Sequence, residues 1–272
     1  MDYIKISFND LQPEQKEILI AQLADAGYEG FEEKSTGLDA FINSKSFDKA
    51  IIDEISFKYQ TPYTKEKIAE TNWNQVWESN FQPVVVNDYV AVRADFHKPI
   101  THTAFEIVIT PKMSFGTGHH ATTSMMIELM KDIDFNEKSI LDFGTGTGIL
   151  AILAEKKGAK KIVAIDNDDW SIANAKENFK KNNCKKIILR QASDATVEMK
   201  FDIILANINK NVIVENLVSL TAQLNENGRI LLSGLLADDQ DEILSNTTVL
   251  NLTFEKELIR DNWIALEFVI KG

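Results

Sequence analysis

The sequence predicts an α/β fold in two parts: a mainly parallel sheet with helices on both faces, preceded by a small α+β domain. Three observations carry that expectation. From Ser139 onward, short apolar runs alternate with helical patterns. The first 70 residues show short elements in the order β-α-β-β-α-β. The length, 272 residues, is long for one domain and short for two full-sized ones.

In order, the N-terminal part reads as strand "YIKISF", an amphipathic helix from Pro13 to Ala26, strands "EGFEEK" and "DAFINS", a helix from Asp48 to Lys58, and "EKIAE". This order favours a ferredoxin-like sandwich with two helices on one face of an antiparallel sheet. It contains no nucleophile or phosphate loop, so residues 1–70 are read as a recognition domain. The stretch from Thr71 to Gln82 spaces Trp73, Trp77 and Phe81 as a connecting helix, ended by Pro83. Its tryptophans read as packing anchors, with substrate contact the alternative. Residues 83–272 then form the main domain. It opens with strands "YVAVRADF" and "FEIVIT" and continues with "SILDFG", a helix to Lys157, "KIVAID", a helix to Asn183, "KIILRQAS", "FDIILANI", a helix to Leu224, "GRILLSGLL", a short helix and "WIALEFVI".

Composition limits the function. Hydrophobic residues make up 44% of the chain, enough for a real core, and the formal net charge is −12. That charge argues against direct nucleic-acid binding, which needs clustered Lys and Arg, and suits a basic protein partner. The lone Cys184 allows no internal disulfide, and "MDYIKISFND" has neither part of a secretory signal. A cytoplasmic protein with no membrane span is expected.

"LDFGTGTGIL" sets Gly144, Gly146 and Gly148 at a strand-to-helix turn, where a ligand can approach the backbone and the helix N-terminus. The next strand ends on Asp166, placed to accept hydrogen bonds from ribose hydroxyls, with Asn167 beside it. A dinucleotide fingerprint needs G-x-G-x-x-G, but its third glycine would fall on Ile149. Asp142, just ahead of the loop, would repel a pyrophosphate and suit a ligand bearing an ammonium and a sulfonium, as S-adenosylmethionine does. Either acid alone could be a strand-end or capping residue; together with the glycines they indicate a cofactor site. Ser193 and Asp194, after the third strand, fall where an adenine amino group could be held.

These residues resemble a known family. D-x-G-x-G-x-G, the acid ending the second strand and "FDIILANI" are similar to class I S-adenosylmethionine-dependent methyltransferases. "FGTGHHATT", "DFGTGTGILAI", "LANI", "LLSGLL" and "NWNQVW" resemble, within that class, the ribosomal protein L11 methyltransferase family. The resemblance runs from about Trp73 to the C-terminus. It implies a Rossmann-like seven-stranded domain, S-adenosylmethionine as cofactor without a metal, and lysine or N-terminal amines of large-subunit ribosomal protein L11 as targets. The substrate would be met free or before assembly, by a monomeric enzyme. Cofactor contacts carried over by motif fall on Thr123, Gly144, Asp166 and Asn207. The segment Met113–Thr123 becomes a lid with Phe115 as gate and Gly116 and Gly118 as hinges. "NINK", Asn207 to Lys210, stands where the family has Asn-Ile-Leu-Ala, which would make the target pocket more polar. Asn207 either orients the amine or ties the strand end to the lid.

His119 and His120 form a poor chelating pair, because adjacent side chains point apart and no Cys or Glu-x-x-His partner lies nearby. One is expected to order the lid, the other to be exposed. Three rival readings remain: a nucleotide-dependent oxidoreductase, a non-catalytic RNA-binding module, and another S-adenosylmethionine-dependent protein or small-molecule N-methyltransferase.

Overall fold

The computed structural model describes residues 3–68, 81–111 and 120–271. The chain divides into two compact units, Met1–Asn80 and Phe81–Gly272.

In the first unit, strands β1 (Tyr3–Asn9), β2 (Gly30–Glu33), β3 (Gly37–Asn43) and β4 (Tyr63–Ile68) accompany helices α1 (Pro13–Asp25) and α2 (Lys49–Tyr59). The sheet order is β2-β3-β1-β4, antiparallel throughout. Alternation decides which face is buried. Ile4, Ile6 and Phe8 on β1 pair with Ile42, Ala40 and Leu38 on β3, and all six pack with Leu19, Leu23, Ile52 and Ile55 of the helices. Helix α2 starts where the Asp48 side chain accepts a hydrogen bond from the Ala50 amide, 2.8 Å away, and stops at Gln60 in the left-handed conformation. This is the ferredoxin-like arrangement the element order implies.

The second unit opens with a three-stranded sheet, β5 (Val84–Val86), β6 (Val90–Ala94) and β7 (Phe105–Ile109). Helix α3 (Ala121–Lys131) precedes the main run of β8 (Ser139–Phe143), α4 (Ile149–Lys156), β9 (Lys161–Asp166), α5 (Asp169–Lys181) and β10 (Ile187–Gln191). There follow β11 (Phe201–Asn207), α6 (Lys210–Ala222), β12 (Leu224–Leu236), α7 (Gln240–Val249), β13 (Leu252–Arg260) and β14 (Trp263–Ile270). The seven-stranded sheet runs β10-β9-β8-β11-β12-β14-β13, parallel from β10 to β12, with β14 antiparallel to both its neighbours. Its central strands are buried on both sides, so their sequences are continuous apolar runs. One face packs on α3 and α4 through residues such as Met126, Leu129, Ile152 and Leu153; the other packs on α6 and α7 through Ile213, Leu217, Leu220 and Ile243. Strand order reverses beside β8, which opens a crevice at the carboxyl ends of the strands.

Three elements are additions to the sequence reading: the short strand β5, helix α3 and strand β13. Helix α3 is buried from Thr122 to Ile127 and again at Leu129 and Met130, so no polar stripe marks it as helical. Strand β13 is an edge strand whose exposed Glu255 and Arg260 interrupt its apolar pattern. Strand β12 also begins at Leu224, ahead of the run read from Gly228. Most of the expected connecting helix, with Trp73 and Trp77, lies outside the described residues; Phe81 and Gln82 carry no regular structure. Among the described residues, no helix is long and apolar enough to cross a membrane.

Candidate active site

A cavity of about 540 Å³ sits at the carboxyl ends of the central strands. That size falls within the roughly 300–1,000 Å³ of small-molecule sites. The turn after β8 forms its middle. The Gly144 and Thr145 amides both donate to the Ile165 carbonyl of β9, each at 2.9 Å, and so hang the loop from the neighbouring strand. Behind the loop, buried Asn178 donates to the Thr147 carbonyl at 2.8 Å and accepts from the Thr110 amide at 2.8 Å. These bonds set the loop before any ligand arrives.

At the β9–β10 end, Asp166 lines the cavity together with Asn167, Ser171, Ala192 and Ser193. Its Oδ2 accepts from the Gly146 amide at 2.8 Å, and its Oδ1 from the Asp168 amide at 3.1 Å. The carboxylate is therefore fixed in orientation with acceptor capacity to spare. Asp194 is exposed, stands off the cavity wall and accepts from its own Thr196 amide at 2.8 Å. Such a local turn occupies a short acid without any ligand.

Asp142 lies beneath the loop, 1% exposed, and is not part of the cavity wall. Its Oδ2 accepts from the Thr145 hydroxyl at 2.6 Å. Burial pushes its carboxyl up to about 7, against the opposing bonds from Thr145 and the Ala151 amide, while the nearby Asp166 charge pushes in the same direction as burial. Gly148, at the N-cap of α4, is likewise off the wall.

The other end of the cavity is built where β11 stops. Asn207 pairs with Ser233 of β12, and its Nδ2 donates to Thr123 Oγ1 at 3.4 Å. With the donor end of the amide so engaged, the carbonyl end is available to an incoming group. The next residue, Ile208, is clasped between two glycines. A Cβ on Gly144 (φ +76) would meet Ile208 Cγ2 at 2.1 Å, and one on Gly234 (φ +83) would meet the Ile208 carbonyl oxygen at 2.2 Å. Only residues without side chains let three strand ends close this tightly. Gly234 lies at a register shift between Ser233 and Leu235, where β12 bulges against β14.

His120 sits at the N-cap of α3, its Nδ1 2.8 Å from the Thr122 hydroxyl, with its ring edge-on to Trp263 at 4.8 Å. Both rings line the cavity. Phe115, Gly116, Gly118 and His119 lie outside the described residues, and with them most of the expected lid. Among the described residues no group of His, Cys, Asp and Glu could hold a metal ion. Sequence reasoning missed Trp263, Ile208, Gly234 and Ser171 as wall residues. Trp263 opens a strand far along the chain, and no local pattern marks it.

Arranged along the strand ends, the cavity offers a ribose-type acceptor at one end, a glycine turn in the middle and a neutral amide acceptor at the other. The residues fit S-adenosylmethionine. Among the described residues Asp166 is the one carboxylate of the wall, and neither lysine nor arginine joins it to pair a phosphate.

Comparison with known proteins gives the same frame. A family model described as "Ribosomal protein L11 methyltransferase (PrmA)" matches residues 4–271. The ribosomal protein L11 methyltransferase of Phocaeicola vulgatus is 35% identical over 100% of both chains. That of Porphyromonas gingivalis is 38% identical over 93% of this chain and 90% of its own. Among solved structures, ribosomal protein L11 methylase from Lactobacillus delbrueckii subsp. bulgaricus aligns with a TM-score of 0.66 and 28% identity, over 71% of this chain and 100% of its own. With a Rossmann-like sheet of seven strands, a crevice at the carboxyl ends of its strands and a match across nearly its whole length, the chain belongs to the ribosomal protein L11 methyltransferase (PrmA) family.

Proposed function

We propose that this enzyme transfers methyl groups from S-adenosylmethionine to lysine side-chain or N-terminal amines of ribosomal protein L11. One observation carries the cofactor half: a preset glycine turn beside a fixed Asp166, in a wall where, among the described residues, no cation stands to pair a phosphate. S-adenosylmethionine, when bound, supplies an electrophilic methyl on a sulfonium. The residues of this chain supply the rest. Asp166 and the Gly144–Gly146 turn hold the nucleoside, and Thr123 positions the Asn207 amide. Asn207 Oδ1 accepts an N–H of the target amine and aims its lone pair at the methyl, so the gain is one of orientation. A lysine must lose a proton first, against an ordinary pKa of about 10.4. The transfer end helps, because among the described residues it presents no carboxylate to hold the ammonium form.

The first unit is proposed to hold the protein substrate, and residues 113–123 to close over the cofactor. The supports are the absence of a catalytic constellation in the N-terminal sequence and the −12 charge, which suits a basic partner. Two experiments test the reading. Calorimetric titration should show saturable binding of S-adenosylmethionine and none of NADH; the reverse would return the oxidoreductase reading. A fragment starting near Thr71 should keep cofactor binding and lose methylation of intact L11, and full activity of that fragment would remove the recognition role.

A further inference from the structure

We infer that Asn209 is a second acceptor for the target amine and sets how many methyl groups the enzyme prefers to add. The inference rests on the reading of Asn207 given above. Asn209 lines the same cavity as Asn207, two positions farther along the same strand-to-helix turn. It occupies the N-cap of α6, a position where asparagine ordinarily bonds back to the helix amides, yet its side chain makes no capping hydrogen bond. The carboxamide is exposed at the cavity wall instead of being spent on the helix.

The turn that carries it is anchored from outside. Lys210 Nζ reaches Glu242 at 3.0 Å and Asp239 at 3.1 Å, which ties the start of α6 to the start of α7. Lys210 is not a wall residue, so of the two polar side chains that follow Ile208 only Asn209 faces the ligand space.

The chemistry gives this a consequence. A neutral primary amine carries two N–H groups, a monomethylated amine one, and a dimethylated amine none. In each transfer the nitrogen lone pair forms the N–CH3 bond as the S–CH3 bond breaks and the sulfur leaves as a neutral thioether; after the first and second transfers the new ammonium gives a proton to solvent, and after the third the quaternary ammonium has none to give. Asn207 Oδ1 satisfies one N–H; the Asn209 carbonyl satisfies the second, which exists only before the first methyl is added. Asn209 thus favours the first transfer over those that follow.

The test compares the full-length protein with Asn209→Leu and Asn207→Ala, using purified L11 and S-adenosylmethionine, read by intact-protein mass spectrometry over time. The backbone at Asn209 (φ −60, ψ 143) suits leucine, and no cap is lost, so the thermal midpoint of the Asn209→Leu protein should stay that of the parent. The variant should add the first methyl about tenfold more slowly, the effect of one hydrogen bond. At equal consumption of L11, the share of product with more than one methyl should rise, and cofactor affinity should hold within about twofold, since Asn209 makes no contact with the nucleoside in this reading. An unchanged first step, or a slower one with an unchanged share, overturns the inference. Asn207→Ala separates the two levels: if it slows transfer about 100-fold while Asn209→Leu leaves the share unchanged, only the Asn209 inference fails. If Asn207→Ala turns over like the parent, the reading of the site fails and takes Asn209 with it.

Discussion

The two ends of the cavity are built from opposite materials. At the β9–β10 end a carboxylate, Asp166, is locked by backbone amides of Gly146 and Asp168. At the β11–β14 end the polar groups of the wall include the amides of Asn207 and Asn209 and the rings of His120 and Trp263, and among the described residues no carboxylate. The difference matches what each end is proposed to do. An ionised acceptor with fixed geometry binds neutral hydroxyls strongly, because charge-assisted hydrogen bonds are worth about twice neutral ones. The same carboxylate placed beside the amine would stabilise the ammonium and remove the nucleophile. Affinity and transfer are thus expected to depend on separate ends.

The largest expected effect breaks the comparison if it falls on the wrong quantity. Asn207→Ala should lower turnover about 100-fold, about 2.7 kcal/mol of transition-state stabilisation, with the cofactor dissociation constant within about threefold. A variant that loses affinity in place of rate would move Asn207 into the nucleoside subsite. Next, Asp166→Ala should weaken cofactor binding by about 2 kcal/mol or more, and turnover should return towards normal at saturating cofactor. Equal affinity by calorimetry would show that the ribose is held elsewhere.

The last effect is one of stability and concerns the buried acid between the two ends. Burial raises Asp142 to about 7, above its ordinary 3.8, so the folded state holds a proton there that the unfolded chain has lost. That contribution to stability is complete below about pH 4 and disappears as pH rises through about 7. Asp142→Asn keeps an acceptor for Thr145 and cannot titrate. Thermal unfolding from pH 4 to 8 should therefore show the parent losing ground to the variant as pH rises, and parallel curves would assign Asp142 an ordinary pKa. Cofactor binding, by bringing a sulfonium near, should release protons around pH 7 in the parent and fewer in the variant, read from calorimetric enthalpies in buffers of different ionisation heat.

Much of this was legible in the sequence because it is local. The glycine turn, the acid ending β9 and the apolar runs of buried parallel strands each follow from a short pattern. What stayed hidden depends on packing between distant segments. Asp142 reads as a cofactor-facing charge, yet the turn folds over it and gives it to Thr145. Asp194 reads as an adenine acceptor, yet its side chain closes a turn on Thr196. Trp263 meets His120 only because β14 runs antiparallel between β12 and β13, which no pattern around Trp263 announces. Gly234 looks like a strand glycine of no special kind until the Ile208 carbonyl is found 2.2 Å from where its Cβ would lie.

The central claim is that one end of this cavity holds S-adenosylmethionine while the other methylates amines of L11. It is tested most directly by incubating the purified full-length protein with L11 and isotopically labelled S-adenosylmethionine, then locating the label on L11 by peptide mass spectrometry. The account predicts labelled methyl groups on lysine or N-terminal amines, formed about 100-fold more slowly with Asn207→Ala and reduced with Asp166→Ala at limiting cofactor. Cofactor binding without label on any L11 amine, or label that persists undiminished in the Asn207→Ala protein, would contradict it.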